Sequence, residues 1–305
     1  MRTSFIKSLE ELAGSAGFFL VTGDMGFSVL EGLKESHPDK YLNVGVAEAN
    51  MIGISSGLAL TGKTVFVYSI VPFATMRCFE QIRDDICYQN LDVKIVGVGG
   101  GLSYGQLGPT HHSIEDIALM RSLPNMTVVC PGDPIESRLA TKAVFSRKGP
   151  VYLRIGKKVE PPVHEKEPDF EIGKAITLIE GGDVTLISTG NMLETSLKAC
   201  KILQNKGLSP RLLSMHTVKP IDKDAILNAA KETAAIFTVE EHSILGGLGS
   251  SVSEVVAEND DKVLFRRIGI PDSYAHVVGS HEYLRDIYSL TPDKIAEKIR
   301  DYVKT

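Results

Sequence analysis

The chain has 305 residues, enough for about two domains of the usual size. Its composition is 43% hydrophobic and 23% charged, which is typical of a globular protein with a sizeable core. The formal net charge of −5 argues against nucleic acid as the main partner. No stretch approaches the roughly 20 apolar residues of a membrane-spanning helix, so no membrane role is expected.

The N-terminal residues and the cysteines favour a cytoplasmic protein. Residues 1–7 enter a short amphipathic pattern directly and lack the apolar core of a signal peptide. The four cysteines are widely spaced and form no Cys-x-x-Cys pair. We therefore expect reduced core thiols and a cytoplasmic location.

Strand and helix patterns alternate along most of the chain. The first half predicts helix 2–13, strand 17–22, helix 28–36, strand 41–46, helix 47–60, strand 64–69, helix 73–90, strand 92–98, helix 113–122, strand 125–130, helix 134–147 and strand 150–154. The second half predicts strand 184–188, helix 192–206, strand 210–215, helix 222–232, strand 235–240, helix 248–258, strand 263–268 and helix 291–302. This alternation predicts an α/β protein with two doubly wound, mostly parallel sheet domains.

One segment interrupts the alternation. Residues 157–172 are rich in proline and charge and show no apolar period, which is typical of a linker. We therefore predict a first domain over residues 1–156 and a second, smaller domain over residues 173–305.

Glu48 stands between a predicted strand and a predicted helix. Segment 45–51 reads Gly-Val-Ala-Glu-Ala-Asn-Met and places this carboxylate in the first helical turn, at the sheet rim where α/β proteins bind ligands. A simpler explanation is that an acidic residue there complements the helix dipole by ~0.3–1 kcal/mol. Position alone leaves both interpretations open.

A glycine-rich loop with two histidines is the second candidate site. Its glycines, over residues 97–108, allow close backbone approach to a ligand but do not form the Gly-x-Gly-x-x-Gly pattern of a dinucleotide site. Four polar side chains that follow it in the sequence have the chemistry of metal ligands: His111, His112, Glu115 and Asp116. Ser113 and Asp116 also have capping-box spacing, which would simply start a helix. We favour the cap and predict no metal ligands.

The Glu48 segment resembles the Gly-Ile-Ala-Glu-Gln-Asn-Met signature of transketolases and their relatives. In that family the glutamate hydrogen-bonds N1′ of the aminopyrimidine ring of thiamine diphosphate. Activation of the cofactor needs its 4′-amino group to act as a base, which requires a proton shared between N1′ and a carboxyl group. The resemblance implies that thiamine diphosphate is the cofactor and that Glu48 is this catalytic residue.

Residues 108–111, Gly-Pro-Thr-His, resemble a family segment whose histidine lines the active site and helps to bind substrate. The resemblance implies that role for His111, and His112 stands beside it as a second substrate-binding candidate. This chain differs from the family at two positions. Leu107 stands where the family has a substrate-binding acidic residue, and Gly99 lies near the position of a second family histidine. Polar groups discriminate more strongly than apolar walls. The differences imply a less hydroxylated or differently oriented substrate, or lost activity.

Other positions carry over from the same resemblance. Asp24 and Met25 follow the first strand, where the family contacts the thiazolium ring, and Phe73 matches an aromatic residue that stacks on the aminopyrimidine. Arg77 follows one helical turn later, at the same rim. All four are predicted to contact the cofactor. The competing explanations are a turn-forming aspartate, a core phenylalanine and a solvated arginine.

Arg154 and Lys157 end a predicted strand, where relatives hold a substrate phosphate with arginine, so both are predicted to bind substrate. Lys157 would act as a point charge without the bidentate fork of arginine. In the second half, residues 239–242 and the glycine-rich segment 246–251 resemble the family's C-terminal domain. That helix start has the chemistry of an anion site, although we favour a packing or subunit-contact role.

One family feature is missing. Transketolases hold Mg²⁺ and the diphosphate with Gly-Asp-Gly followed downstream by Asn, which are oxygen ligands of the kind that Mg²⁺ prefers. Residues 23–26 with Asn50 match only the spacing, because Met25 occupies the third motif position. The resemblance therefore implies the C-terminal subunit of a split transketolase. A partner subunit would carry Gly-Asp-Gly…Asn in an α2β2 assembly and would bind most of the Mg²⁺.

The leading functional hypothesis is transfer of a two-carbon ketol unit from a ketose or ketose phosphate to an aldehyde. Three alternatives stay open: the beta subunit of a 2-oxoacid dehydrogenase decarboxylase, a deoxyxylulose-phosphate-synthase-like condensing enzyme, and a non-catalytic scaffold subunit.

Overall fold

The computed structural model describes residues 1–26, 29–157, 160–260 and 262–303. Its strands are β1 (Phe18–Thr22), β2 (Tyr41–Asn43), β3 (Thr64–Ile70), β4 (Val93–Val98), β5 (Thr127–Val129), β6 (Val151–Ile155), β7 (Ile176–Ile179), β8 (Val184–Ser188), β9 (Pro210–Ser214), β10 (Thr217–Lys219), β11 (Ala235–Ser243) and β12 (Leu264–Ile270). Its α-helices are α1 (Arg2–Ala13), α2 (Glu31–Ser36), α3 (Glu48–Leu60), α4 (Val71–Thr75), α5 (Phe79–Gln81), α6 (Asp116–Ser122), α7 (Pro134–Ser146), α8 (Leu193–Gln204), α9 (Lys223–Glu232), α10 (Leu248–Ala257), α11 (His281–Ile287) and α12 (Pro292–Val303).

The first sheet has seven described strands in the order β10-β5-β6-β4-β3-β1-β2, and their pairings are parallel except that of β10 with β5. Its central strands β3, β4 and β6 are buried along their whole length. Helices cover both faces of such a sheet, so its strands read as continuous apolar runs. Two separate apolar clusters, one on each face, form the core here.

The second sheet has five described strands in the order β12-β11-β8-β9-β7, and among them β7 is antiparallel to its neighbour. It too lies between two apolar clusters. The predicted α/β class with two mostly parallel sheets is therefore confirmed.

Three short elements were missed by the sequence patterns: β7, β10 and α11. A strand of three or four residues is too short to show a period. β10 follows the linker in sequence, yet it pairs with β5 and completes the first sheet. This pairing ties the second half of the chain to the first.

The predicted helix over residues 73–90 is instead broken into pieces. α4 begins at Val71 with Pro72 in its first turn, and Cys78 then leaves helical geometry at φ −121°. A turn of π-helix, Ile82–Cys87, follows α5. π-Helical turns interrupt regular helices, often close to functional sites.

The predicted capping box at residues 113–116 is wrong. α6 begins only at Asp116, and Glu115 at its N-cap makes no side-chain cap hydrogen bond. Within the described residues the Ser113 hydroxyl has no hydrogen-bond partner, while the Asp116 carboxylate accepts from the Tyr152 hydroxyl at 2.6 Å. The aspartate is used for a buried contact instead of a cap.

All four cysteines are buried free thiols, as the sequence predicts. In the part of the chain that the structure describes, no helix is both long and apolar enough to cross a bilayer.

Candidate active site at the rim of the first sheet

Glu48 is the first residue of α3 and lies just beyond the end of β2. Its side chain is only 2% exposed, and Oε2 accepts a hydrogen bond of 2.7 Å from Arg77 Nη1. A buried carboxylate without a partner costs several kcal/mol, so this ion pair compensates the burial. The Gly23 backbone lies against it, because a Cβ there would stand 3.6 Å from Glu48 Cγ.

Arg77, Phe73 and His111 continue the site away from Glu48. The Arg77 guanidinium carbon lies 4.3 Å from the centroid of the Phe73 ring, which is a cation–π distance. The Phe73 and His111 rings meet edge to face, with centroids 5.1 Å apart and an interplanar angle of 72°. Four residues predicted from three separate motifs are thus joined by direct contacts.

Tyr104 extends this group and was not predicted. Its ring centroid is 6.0 Å from that of His111, and Lys157 Nζ lies 4.0 Å from the Tyr104 ring centroid. Gly99 makes room for the tyrosine, since it adopts φ +82° and a Cβ there would lie 2.1 Å from the ring. The signal in the sequence was a single aromatic residue within the glycine-rich loop.

A cleft of about 240 Å³ opens beside Tyr104 and Lys157. Residues from both halves of the chain line it: Ser103, Tyr104, Gly105, Gln106, Leu107, Lys157, Gly279, Ser280 and His281. Leu107 is 52% exposed there, so the family position with an acidic side chain is apolar and open in this protein.

The pKa of His111 is lowered from its ordinary value of 6.5, first by burial and then by the positive charges of Lys157 and Arg77. Thr110 Oγ1 lies 3.0 Å from its Nδ1. The ring is therefore neutral at pH 7, and a neutral imidazole both donates and accepts hydrogen bonds.

Replacing Lys157 by methionine is expected to raise the pKa of His111, because one of the two nearby positive charges is removed. The pKa should stay below 6.5, since burial is the larger cause. Histidine NMR titration of the isolated chain measures this, with His111→Gln identifying the resonance and Lys148→Met as the exposed-lysine control. A His111 pKa above 6.5 in the unmodified chain would contradict this electrostatic account.

Asp24 and Met25 form the turn after β1. Asp24 has φ +56°, and its carboxylate accepts from Asn43 Nδ2 at 3.0 Å while its N–H donates to Asn43 Oδ1 at 2.9 Å. These bonds match the turn-forming explanation. Because Gly23 precedes them and lies against Glu48, the turn still borders the site.

Arg154 does not line this cleft, and its predicted substrate contact stays a prediction. Its side chain is 3% exposed, and its Nε donates to Asp116 Oδ2 at 2.8 Å. Its Nη2 donates to the carbonyl oxygens of Ser113 and Glu241, each at 3.0 Å. The guanidinium is therefore occupied between the two halves of the chain.

His112 is also placed differently from the prediction. It is 5% exposed, and its Nε2 faces the Gly105 carbonyl oxygen at 3.4 Å. Burial is the main reason that its pKa is lowered. His112 therefore packs against the glycine-rich loop, and its predicted substrate contact stays a prediction.

Comparison with known proteins shows the family. The transketolase pyrimidine-binding domain matches residues 2–161, and the transketolase C-terminal domain matches residues 173–295. The chain belongs to the transketolase family. This confirms the resemblance drawn from the Glu48 and His111 segments, and with it the class of transketolase-like transferases.

Transketolase relatives match the chain over nearly its whole length. The B subunit of the apulose-4-phosphate transketolase of Phocaeicola vulgatus is 41% identical over 99% of this chain and 97% of its own. A putative transketolase C-terminal section of Methanocaldococcus jannaschii is 40% identical over 100% and 96%. The 6-deoxy-6-sulfo-D-fructose transketolase subunit SqwH of Clostridium sp. is 39% identical over 89% and 84%.

Two solved transketolase structures agree with the fold. A split gene transketolase, described as an inactive beta4 tetramer, superposes with a TM-score of 0.89 at 34% identity, covering 99% of this chain and 97% of its own. A transketolase of Pichia stipitis superposes with a TM-score of 0.81 at 19% identity, over 99% of this chain and 45% of its own. The second likeness shows the fold alone.

In the transketolase C-terminal domain of this chain, a glutamate side chain of the same domain occupies the anion site at the start of α10. Glu240 accepts from the N–H groups of Leu248 and Gly249 at 2.7 and 2.8 Å, at the start of α10. Burial raises the pKa of Glu240 to about 7, against the effect of these bonds. An external anion therefore has no place at this helix start.

Glu241 connects the two transketolase domains. Its Oε1 accepts from the Leu102 N–H at 2.6 Å and faces His281 Nε2 at 2.7 Å, and Arg285 also contacts the carboxylate. Burial would raise the pKa of Glu241, but Arg285 and His281 hold it well below its usual range. The glycine-rich loop is thereby fixed to the second domain.

Among the described residues, no group of three or more His, Cys, Asp or Glu side chains is arranged to hold a metal ion.

Proposed function

We propose that this chain is the C-terminal subunit of a split transketolase that moves a two-carbon ketol unit from a ketose or ketose phosphate to an aldehyde. The observation that carries the proposal is the buried Glu48 carboxylate, joined through Arg77 to the Phe73 and His111 rings. The P. vulgatus relative, named as one subunit of a transketolase, matches almost end to end, which supports a separate companion chain.

The residues around Glu48 fit the aminopyrimidine ring of thiamine diphosphate. The chemical groups are suitable, because the Glu48 carboxyl group can share a proton with N1′ and the Phe73 ring offers a flat face for stacking. Asp24 and Met25 border the same space. When bound, the cofactor supplies the electron sink for cleaving the carbon–carbon bond beside a ketose carbonyl.

The other residues orient the substrate. Neutral His111 would hydrogen-bond a substrate oxygen, and Phe73 would shield the space between this oxygen and Glu48 from water. Lys157 lies across the Tyr104 ring at the cleft and supplies positive charge for an anionic group. The P. vulgatus relative is named for a sugar phosphate and the Clostridium relative for a sulfo sugar, which supports a ketose with an anionic end as the substrate.

We further infer that a companion subunit carries Gly-Asp-Gly…Asn and holds most of the Mg²⁺ and the diphosphate. The active assembly is then an α2β2 tetramer, and we place it in the cytoplasm. The proposed domain limits are 1–156 and 173–305, with 157–172 as the linker.

Isothermal titration of the isolated chain with thiamine diphosphate and Mg²⁺ is expected to show no tight binding. The reason is that the diphosphate and metal contacts would come from the companion subunit, and an aminopyrimidine alone offers little contact area. Adding that subunit should produce binding, with the companion alone as the control. Tight binding by the isolated chain would contradict the split arrangement.

A deoxyxylulose-phosphate-synthase-like condensation is the second candidate. Such a synthase from Synechococcus sp. is 35% identical over 90% of this chain, although the chain covers only 42% of it. Product analysis of the reconstituted pair separates the two activities. Consumption of pyruvate with carbon dioxide release would favour the synthase, and exchange between a ketose phosphate and an aldehyde would favour the transketolase.

A further inference from the structure

Arg77 makes two contacts at once. Its Nη1 donates to the buried Glu48 carboxylate at 2.7 Å, and its guanidinium carbon lies over the Phe73 ring, 4.3 Å from the centroid. The arginine side chain is 46% exposed, whereas Glu48 is 2% exposed. Within this group Arg77 is exposed, whereas Phe73 and His111 are half-buried.

These two contacts are the ones that the proposed function assigns to the aminopyrimidine ring. A guanidinium is flat, carries N–H donors along its edge and stacks on aromatic faces. One of its N–H groups bonds Glu48 and its central carbon lies over the Phe73 ring, and these are the two partners that the ring of the cofactor would take. Two planar groups cannot occupy that position together.

We propose that Arg77 is a placeholder for the aminopyrimidine ring, and this inference rests on the proposed function. Without cofactor, Arg77 compensates the buried charge of Glu48 and covers Phe73. Cofactor binding displaces the arginine toward solvent.

The placeholder opposes cofactor binding, since the ring must compete with an internal group. If the paired arrangement accounts for about nine-tenths of the molecules, removing Arg77 lowers the Kd of thiamine diphosphate roughly tenfold. Isothermal titration of the reconstituted assembly with thiamine diphosphate and Mg²⁺ measures this for Arg77→Ala. Arg77→Met, which keeps a long uncharged side chain, serves as the second variant in case the alanine variant does not assemble.

Tighter binding by either variant supports the placeholder, and unchanged or weaker binding overturns it. Arg83→Ala is the matched control, because Arg83 lies on the same segment and pairs with its exposed neighbour Asp84. Absence of any cofactor binding by the unmodified assembly would instead overturn the proposed function, so the two failures are distinguishable.

Urea unfolding of the isolated chain provides a second readout that does not involve cofactor. Arg77→Ala is expected to lower the unfolding midpoint, because Glu48 stays buried without a charge partner. The same change made together with Glu48→Gln should lower it much less. Equal losses in both backgrounds would show that Arg77 does not compensate Glu48, and the placeholder would be rejected.

Discussion

Replacing Glu48 by glutamine is expected to lower kcat of the reconstituted enzyme by about 10²–10⁴-fold, the usual size of a general acid–base contribution. Glutamine has nearly the same shape and still accepts a hydrogen bond from Arg77. It cannot exchange a proton with N1′ of the cofactor, so the activation step is lost while the fold is kept. Steady-state rates with a ketose phosphate and an aldehyde measure the effect.

Glu35→Gln is the control, because this exposed carboxylate lies on α2, outside the site. It should keep the full rate. Thiamine diphosphate affinity should be measured alongside, so that lost activation is separated from lost binding. An unimpaired rate in Glu48→Gln would end the catalytic proposal, and a companion complex that forms without any activity would favour the scaffold alternative.

Replacing Asp116 by asparagine is expected to reduce the free energy of unfolding by about 3–5 kcal/mol, because it leaves the buried Arg154 charge without its partner. Burial would raise the pKa of Asp116, but the Arg154 charge, His242 and the Tyr152 hydrogen bond lower it, so the carboxylate is charged at neutral pH. The pair also holds the two halves of the chain together, since Arg154 donates to the Glu241 carbonyl oxygen.

Urea unfolding of the isolated chain measures this loss. Lys198→Gln removes an exposed i,i+4 ion pair with Glu194 and should cost no more than about 0.5 kcal/mol. The double variant Asp116→Leu with Arg154→Met removes both charges and should be less harmful than the single change. A single variant as stable as the Lys198 control would mean that Arg154 is not held by this pair, and its substrate role would have to be reconsidered.

Much of the site was predictable because it lies in contiguous motifs. Glu48 opens α3 after β2, Phe73 lies in α4 directly after β3, and His111 lies in the loop between β4 and α6. The carboxyl ends of parallel strands meet at one rim. The contacts between them needed the folded chain. Whether Phe73 is a core residue or a site residue depends on the Arg77 guanidinium above it and on the His111 ring beside it.

Arg154 shows why the position of a residue along a strand is not sufficient to predict the role of its side chain. An arginine at the end of a strand is equally compatible with a phosphate ligand and with one half of an ion pair. Its partner Asp116 stands 38 residues earlier, and the sequence pattern had assigned that aspartate to a helix cap. Long-range pairing of charges follows no local period, so only the folded chain, which brings Asp116 to Arg154, decides between the two.

Local patterns and short motifs were sufficient to predict the alternation of strands and helices, the family and the location of the carboxylate at the rim. Tertiary structure alone decided that Tyr104 enters the site through the space at Gly99, that Arg154 is buried, and that β10 completes the first sheet. Each of these results from contacts between segments distant in the chain, where side-chain volume and charge are matched only after folding.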